Sequence, residues 1–173
     1  THGPVVLTVT AFGEAPCGRA LRRNGATPGD LIFVSGTIGD AALGLRAVQG
    51  HLLGLDDASA TALAARYRLP EPRMALGTAL VGVANAAADV SDGLVADLGH
   101  IVDASGVGAV VNWDCVPIST AARAAAAFVD DLPSAILTGG DDYELVFTAS
   151  LDAAKAFPAM ARRLDIPLSE IGV

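Results

Sequence analysis

Apolar residues recur along this chain with two different spacings, which predict strands and helices in alternation. The unbroken apolar run Leu31–Ser35 is typical of a buried central strand. Residues 5–12 are rich in β-branched side chains and partly alternate, so they also predict a strand. The same reasoning predicts further strands at 85–89, 107–113, 143–148 and 171–173.

Helices are predicted where apolar residues return at intervals of three and four positions. These segments are 41–48, 57–67, 73–84, 94–105, 119–129 and 152–164. Asp56 or Asp57 is expected to cap the second helix, and Ser119 the fifth. In the third helix the expected buried residues are Met74, Leu76, Leu80 and Val83. Because strands and helices alternate without a linker, we expect one α/β or α+β domain over 1–173, with helices in layers on a mixed sheet.

Composition narrows the possible functions. The chain has 173 residues, of which 52% are hydrophobic, so it is too apolar to be disordered. A net charge of −8 argues against a nucleic-acid partner, which needs a basic surface. No apolar stretch is long enough for a membrane span, and the start lacks the pattern of a signal peptide. Two distant cysteines and three scattered histidines favour a reducing, cytoplasmic compartment and no zinc site.

Residues 34–40 (V-S-G-T-I-G-D) form the first place where chemistry is expected. A strand, a glycine-containing turn and a helix start follow one another, and such a junction offers free backbone N–H groups to an anion. A tight turn needs glycine in any case, and the lysine of a phosphate-binding P-loop is absent. Phosphate contact and a purely structural turn therefore both stay open.

Asp89-Val90-Ser91-Asp92 is the second candidate site. In an extended chain Asp89 and Ser91 lie on one face, and Asp92 stands at the start of the next helix. Carboxylates in this arrangement suit Mg²⁺, which binds one or two of them together with phosphates and water. The alternative is that Ser91 or Asp92 only caps the helix. Asp97, His100 and Asp103 form the polar stripe of that helix and are interpreted as structural.

Two further segments complete the candidates. Residues 138–145 (T-G-G-D-D-Y-E-L) predict a sharp acidic loop that brings backbone close to a ligand, or an ordinary turn. Arg19, Arg22 and Arg23 form a cationic cluster suited to phosphate, although surface ion pairs are the usual role of a single arginine. No nucleophile elbow or zinc-protease motif occurs, which argues against a covalent hydrolase or a metalloprotease.

Six stretches taken together resemble the ATP-dependent thiamine-monophosphate kinases, relatives of aminoimidazole ribonucleotide synthetase and selenophosphate synthetase. They are T-A-F-G-E (10–14), G-R-A-L-R-R-N-G-A-T-P-G-D (18–30), V-S-G-T-I-G-D-A-A-L-G-L (34–45), P-E-P-R-M-A-L-G (70–77), D-V-S-D-G-L-V-A-D-L-G-H-I (89–101) and T-G-G-D-D-Y-E-L-V-F-T (138–148). The ordered set spans nearly the whole chain, so the resemblance is specific.

The resemblance implies a C-terminal-type domain of this synthetase superfamily, partly like a ferredoxin fold. It implies transfer of a phosphoryl group from ATP to thiamine monophosphate with Mg²⁺, giving thiamine diphosphate. By matching position, Asp89 and Asp92 are expected to bind Mg²⁺, and Ser91 and Arg23 to contact ATP. Asp141 stands where the family usually has Glu and is expected to contact the thiamine substrate. No residue of this chain is assigned a catalytic role.

The family also has an N-terminal ATP- and metal-binding domain and a C-terminal tail that find no counterpart in this sequence. The resemblance therefore implies a partner domain, a homodimer of the intact protein, and an isolated chain without activity. Two alternatives remain: another ATP-dependent synthetase of the superfamily, in the selenophosphate or purine pathway, or a non-catalytic nucleotide-binding or assembly module.

Overall fold

In the computed structural model, which describes residues 3–15 and 17–173, a four-stranded sheet lies between two groups of helices. The strands are β1 (Leu31–Ser35), β2 (Ala86–Val90), β3 (Glu144–Ala149) and β4 (Leu168–Gly172), in the spatial order β2-β3-β1-β4. Each pair of neighbours is antiparallel. This order, read as 4-1-3-2, is that of a ferredoxin-like sheet, so the α/β class and its partial ferredoxin likeness are confirmed.

The expectation of a mixed sheet is wrong in that detail. β1 and β2 run in the same direction, but β3 lies between them. In the same way β3 and β4 are parallel to each other and are separated by β1. Because the two helical crossovers interleave, parallel strands never become neighbours among the described residues.

Eight α-helices are described, and most lie where the apolar spacing predicts them. They are α1 (Asp40–Val48), α2 (Asp57–Arg68), α3 (Met74–Leu80), α4 (Leu94–Ser105), α5 (Thr120–Ala125), α6 (Leu132–Thr138), α7 (Leu151–Ala154) and α8 (Phe157–Leu164). Asp56 caps α2 by accepting the N–H of Ser59, and Ser119 caps α5 by accepting that of Ala122, as predicted.

The two faces of the sheet are covered by different helices, because alternate strand residues point in opposite directions. Ile32 and Val34 of β1 pack into a core shared with α1, α2, α4, α5 and α6. Phe33, between them, packs on the other face, where its ring contacts Phe147 and Phe157. This second core includes α3 and α8. The sheet is therefore the middle of three layers.

Residues 5–12 do not form the predicted strand. They lie in an irregular segment, and Val9 and Phe12 are each 94% exposed. A strand needs a neighbour for its N–H and C=O groups, and no described residue pairs with this segment. Alternation of residue types alone is thus not enough to form a strand in this segment.

The strand predicted at 107–113 is also wrong. Val111 forms a single bridge to Gly172, and a 3₁₀ turn follows over Trp113–Cys115. Val110 and Asn112 each hydrogen-bond to residues of or beside β4, so this segment covers the edge of that short strand without extending the ladder.

Three predicted helices are shorter than expected. Helix α3 ends at Leu80, before Gly82 with its φ of 78°, and its first residue, Met74, is 75% exposed instead of buried. Helix α5 gives way to a 3₁₀ turn over Ala126–Phe128. The helix predicted at 152–164 is divided into α7 and α8, and Pro158 lies in the first turn of α8, where its missing N–H is tolerated.

Candidate active site

Two loops meet at one end of the sheet, where β2 ends and β3 begins. The N–H of Asp141 donates to the carbonyl oxygen of Ser91 at 2.9 Å, and that of Tyr143 donates to Val90 at 2.8 Å. A Cβ at Gly140 would overlap the Ser91 carbonyl, so glycine permits this close approach. The structure therefore brings together the two acidic segments that the sequence marks as candidates.

Side chains alternate in direction along the second loop. Asp141 and Tyr143 have left-handed backbone, with φ of 69° and 52°, and both are exposed. Asp142 and Glu144 point inward and are buried. Non-glycine residues with positive φ are uncommon and cluster at functional sites, where the surroundings hold them in place. The negative charge of Asp141, 3.4 Å from the Tyr143 hydroxyl, raises the pKa of that tyrosine.

The carboxylate of Asp142 lies at the N-terminus of α1. Its carboxylate accepts the N–H groups of Gly39 at 2.6 Å and Ala41 at 3.1 Å. Burial raises the pKa of Asp142 to about 7, although the two N–H bonds act in the opposite direction. Two N–H groups of the turn at 34–40 and the start of α1 are thus paired with a carboxylate of the protein itself. This pairing favours a structural role for the turn over the phosphate contact that the sequence left open.

Glu144 lies at the centre of a buried ionic network behind the loop. Its side chain has no solvent exposure and receives two bonds from Arg73, of 2.6 and 2.7 Å. Arg66 donates at 2.9 Å and the hydroxyl of Ser35 at 2.6 Å. The bonds to Glu144 raise the pKa of Arg73. Every carboxylate oxygen is therefore paired, as a buried charge requires.

The residues predicted to bind metal and nucleotide lie at the surface near the same loops. Asp89 and Asp92 are exposed, and Ser91 between them is partly exposed. Arg23 is within 3.8 Å of the Asp89 carboxylate, and both side chains are about half exposed. Asp89, Ser91, Asp92 and Arg23 are thus reachable by a ligand, as is Asp141 on the neighbouring loop.

An open groove lies beside Asp89 and Arg23 on the face that carries α3. It consists of two adjoining cavities of about 840 and 710 Å³ that share Leu21, Gly77, Asp89 and Leu145 in their walls. Basic side chains line both parts: Arg19 and Arg73 in the larger, Arg22 and Arg23 in the smaller. A groove with an apolar floor, several arginines and the carboxylates of Glu14 and Asp89 suits a ligand that joins an aromatic ring to phosphates.

Sequence reasoning missed the position of Asp97. It was expected on a polar stripe, but it is 1% exposed and directed at the loop that precedes α4. Asp92, Asp97 and His100 each have one possible metal-ligand atom within 4.8 Å of those of the other two. Asp103 is exposed, as expected for a polar stripe. A carboxylate in the first turn of a helix, four positions after Gly93, is the signal that could have indicated it.

Oxygen ligands for a hard cation are present at this end of the sheet. Asp89 presents an exposed carboxylate beside a groove lined by arginines, and Asp92, three positions later, is also exposed. Mg²⁺ favours one or two carboxylates together with phosphate oxygens. The donor set therefore fits Mg²⁺ delivered with a phosphate ligand. It also resembles the polar half of many nucleotide sites, in which arginines neutralise phosphate charge.

Comparison with known families decides the relationship. Residues 27–173 match the family model of the AIR synthase related protein, C-terminal domain. The chain belongs to this family. The resemblance seen in the sequence motifs is thereby confirmed at the level of the superfamily domain.

Curated and solved relatives refine the resemblance. The chain is 44% identical over 176 residues to the thiamine-monophosphate kinase of Salmonella typhimurium, covering 100% of this chain and 51% of that protein. The crystal structure of thiamine-monophosphate kinase from Stenotrophomonas maltophilia K279a aligns with a TM-score of 0.81 at 48% identity, over 90% of this chain and 50% of that one. AaThiL complexed with AMPPCP and TMP aligns with a TM-score of 0.75 at 31% identity, over 88% and 47%. The chain spans about half the length of the curated relatives it matches.

Among residues 3–15 and 17–173, no helix is both long enough and apolar enough to cross a bilayer.

Proposed function

We propose that this chain forms the C-terminal half of a thiamine-monophosphate kinase. The intact enzyme transfers the γ-phosphoryl group of ATP to the phosphate of thiamine monophosphate, releasing ADP and thiamine diphosphate. The observation that carries the proposal is the junction of the two acidic loops, through Asp141 to Ser91 and Tyr143 to Val90, beside an arginine-lined groove. The relative bound to AMPPCP, an ATP analogue, and TMP supports both substrates.

The exposed side chains divide between the two substrates in this proposal. Asp89 and Asp92 hold Mg²⁺, which neutralises charge on the phosphates, while Arg23 and Ser91 contact ATP. Asp141 faces the thiamine substrate. Its backbone bond to Ser91 fixes the distance between the two parts of the site, so the chain aligns donor and acceptor for in-line transfer.

The isolated chain is inactive in this proposal, because two carboxylates and an arginine cannot neutralise a nucleotide with several metal ions. An N-terminal domain supplies the remaining acidic ligands, and the intact protein is a cytoplasmic homodimer. The relatives, which are about twice as long as the chain, support a second domain.

A coupled ADP-release assay tests the proposal with the 173-residue chain and the full-length protein that carries it. We expect turnover with ATP, Mg²⁺ and thiamine monophosphate from the full-length protein only. Turnover by the chain alone at the full-length rate would refute the claim that a second domain is required.

The choice of acceptor separates the alternatives. Thiamine monophosphate, selenide and a purine-pathway intermediate are offered in parallel to the full-length protein, with ADP release as the readout. We expect only the thiamine compound to support turnover, as the names of the relatives favour. Calorimetric binding of ATP without turnover on any acceptor would instead assign a non-catalytic binding module.

A further inference from the structure

We infer that Asp97 is a positioning residue that holds the turn Ser91–Gly93 in the conformation that ligand binding needs, an inference that rests on the proposed function. A single carboxylate oxygen, Oδ2, accepts three consecutive backbone N–H groups. They belong to Ser91 at 2.9 Å, Asp92 at 2.9 Å and Gly93 at 3.2 Å. The Asp97 side chain is 1% exposed, so these bonds are shielded from water.

The three bonds differ from an ordinary helix cap. A capping side chain lies before the helix and accepts N–H groups of its first turn. Asp97 lies inside the first turn of α4 and reaches back to N–H groups that precede the helix. Two of those N–H groups belong to Ser91 and Asp92, the residues proposed to contact ATP and Mg²⁺. The interaction therefore sets the path of the turn more than it stabilises the helix.

The charge of Asp97 is needed for this arrangement. Hydrogen bonds to an ionised acceptor are roughly twice as strong as neutral ones, and three of them offset the cost of burying a carboxylate. The positive end of the α4 dipole adds to the same effect. Gly93 completes the turn with a φ of 119°, and a Cβ there would lie 2.8 Å from the Thr138 carbonyl. The turn has little freedom once Asp97 is in place.

The same turn is held on its other side by the second loop. The carbonyl of Ser91 accepts the N–H of Asp141, and that of Val90 accepts the N–H of Tyr143. A displacement of the turn would therefore move Asp141 as well as Ser91 and Asp92. Loss of Asp97 is expected to disturb Asp92 and Ser91 first, because two of its three bonds lie on their backbone.

The experiment uses the full-length protein with Asp97→Ala and Asp97→Asn, and with Asp103→Ala as the control. Asp103 is an exposed residue of the same helix, in the described part of the chain, and has no role in the site. In Asp97→Ala we expect kcat to fall about 10- to 100-fold and the Mg²⁺ concentration for half-maximal rate to rise about tenfold. The KM for thiamine monophosphate should change much less than kcat.

Asp97→Asn separates positioning from simple folding. It keeps the volume of the side chain and one oxygen acceptor but loses the charge, so we expect it to recover part of kcat and of the Mg²⁺ affinity. Asp97→Asn also provides the test if Asp97→Ala does not fold. Wild-type kcat and Mg²⁺ dependence in both variants would overturn the inference.

Amide hydrogen exchange gives a readout that does not need turnover. The amides of Ser91, Asp92 and Gly93 should exchange faster in both Asp97 variants, while those of β3 keep their protection. Unchanged exchange at these three amides would overturn the inference, whatever reaction the protein performs. Faster exchange in a protein that does not phosphorylate thiamine monophosphate would overturn the proposed function and still support the positioning of the turn.

Discussion

The carboxylate of Asp142 accepts a 2.6 Å hydrogen bond from the backbone N–H of Gly39, which closes the N-terminus of α1 with a group from the distant β3 loop. Burial disfavours loss of the proton from this carboxyl group, whereas the backbone N–H groups at the helix N-terminus favour it. The carboxylate accepts the backbone N–H groups of Gly39 and Ala41. These bonds hold the loop that carries Asp141 against the turn between β1 and α1.

Asp142 is expected to make stability depend on pH. Its pKa is raised by burial to about 7 in the folded protein, against an ordinary value of 3.8. Between these values the folded state binds more protons than the unfolded state, so the free energy of unfolding falls as pH rises from about 4 to 7. Above pH 7 the contribution is constant. Urea unfolding of wild type and Asp142→Asn at several pH values measures it.

The difference between the two proteins is the informative quantity, because other groups titrate equally in both. We expect the stability of wild type relative to Asp142→Asn to decline from pH 4 to 7. A difference that does not change with pH would show that Asp142 keeps its ordinary pKa.

Removing the charge of Glu144 is expected to destabilise the protein strongly. Glu144→Gln leaves Arg73 and Arg66 without a buried carboxylate, and breaking a buried pair in this way costs about 3–5 kcal/mol. Chemical denaturation measures the loss. Glu71→Gln is the matched control, since Glu71 is an exposed partner of the same Arg73 and such pairs contribute about 0–1 kcal/mol. Equal losses in the two variants would contradict the central role of Glu144.

Asp89→Asn is expected to weaken metal binding in the full-length enzyme. The carboxylate that faces Arg23 is replaced by a neutral amide, so kcat should fall strongly and the Mg²⁺ requirement should rise. Initial rates over a range of Mg²⁺ concentrations measure both quantities. Asp103→Asn, a neutralisation elsewhere on the surface, should have neither effect. Unchanged Mg²⁺ dependence in Asp89→Asn would assign Asp89 a structural role.

Asp141 tests the contact with the thiamine substrate. Asp141→Ala removes a charged hydrogen-bond acceptor, so the KM for thiamine monophosphate should rise about 10- to 100-fold. Asp141→Glu restores the residue usual in the family and should keep that KM close to wild type. The KM for ATP, measured in parallel, should change little in either variant. A rise confined to ATP would move Asp141 to the nucleotide side of the site.

Segments with strong local signals were predictable from the sequence. β1 is a continuous apolar run, α1 and α2 have helical spacing, and the caps Asp56 and Ser119 are of the expected residue types. Residues 5–12 carry an equally clear alternation, but a strand also depends on a neighbour, which local sequence does not encode. Helix α6 was missed, although Asp131 caps it and Pro133 lies in its first turn.

The two loops of the candidate site were predictable from the sequence, but the buried side chains that hold them in place were not. The motifs at 89–92 and 138–145 indicated two acidic loops, and the structure joins them by backbone bonds. The assignment of Asp97 to a polar stripe depended on helical spacing, which does not show that its carboxylate turns back toward the preceding loop. The partners of Asp142 and Glu144 lie about 70 to 110 positions away along the chain, beyond any local pattern.

The pair formed by Arg23 and Asp89 has a consequence for the order of binding events. Each group partly neutralises the charge of the other, because their nearest atoms lie 3.8 Å apart. If Asp89 binds Mg²⁺ and Arg23 binds nucleotide phosphate as proposed, a cation that takes the carboxylate would release the guanidinium to receive an anion. A nucleotide complexed with its metal would then meet both demands in one step, whereas bare nucleotide would meet only one.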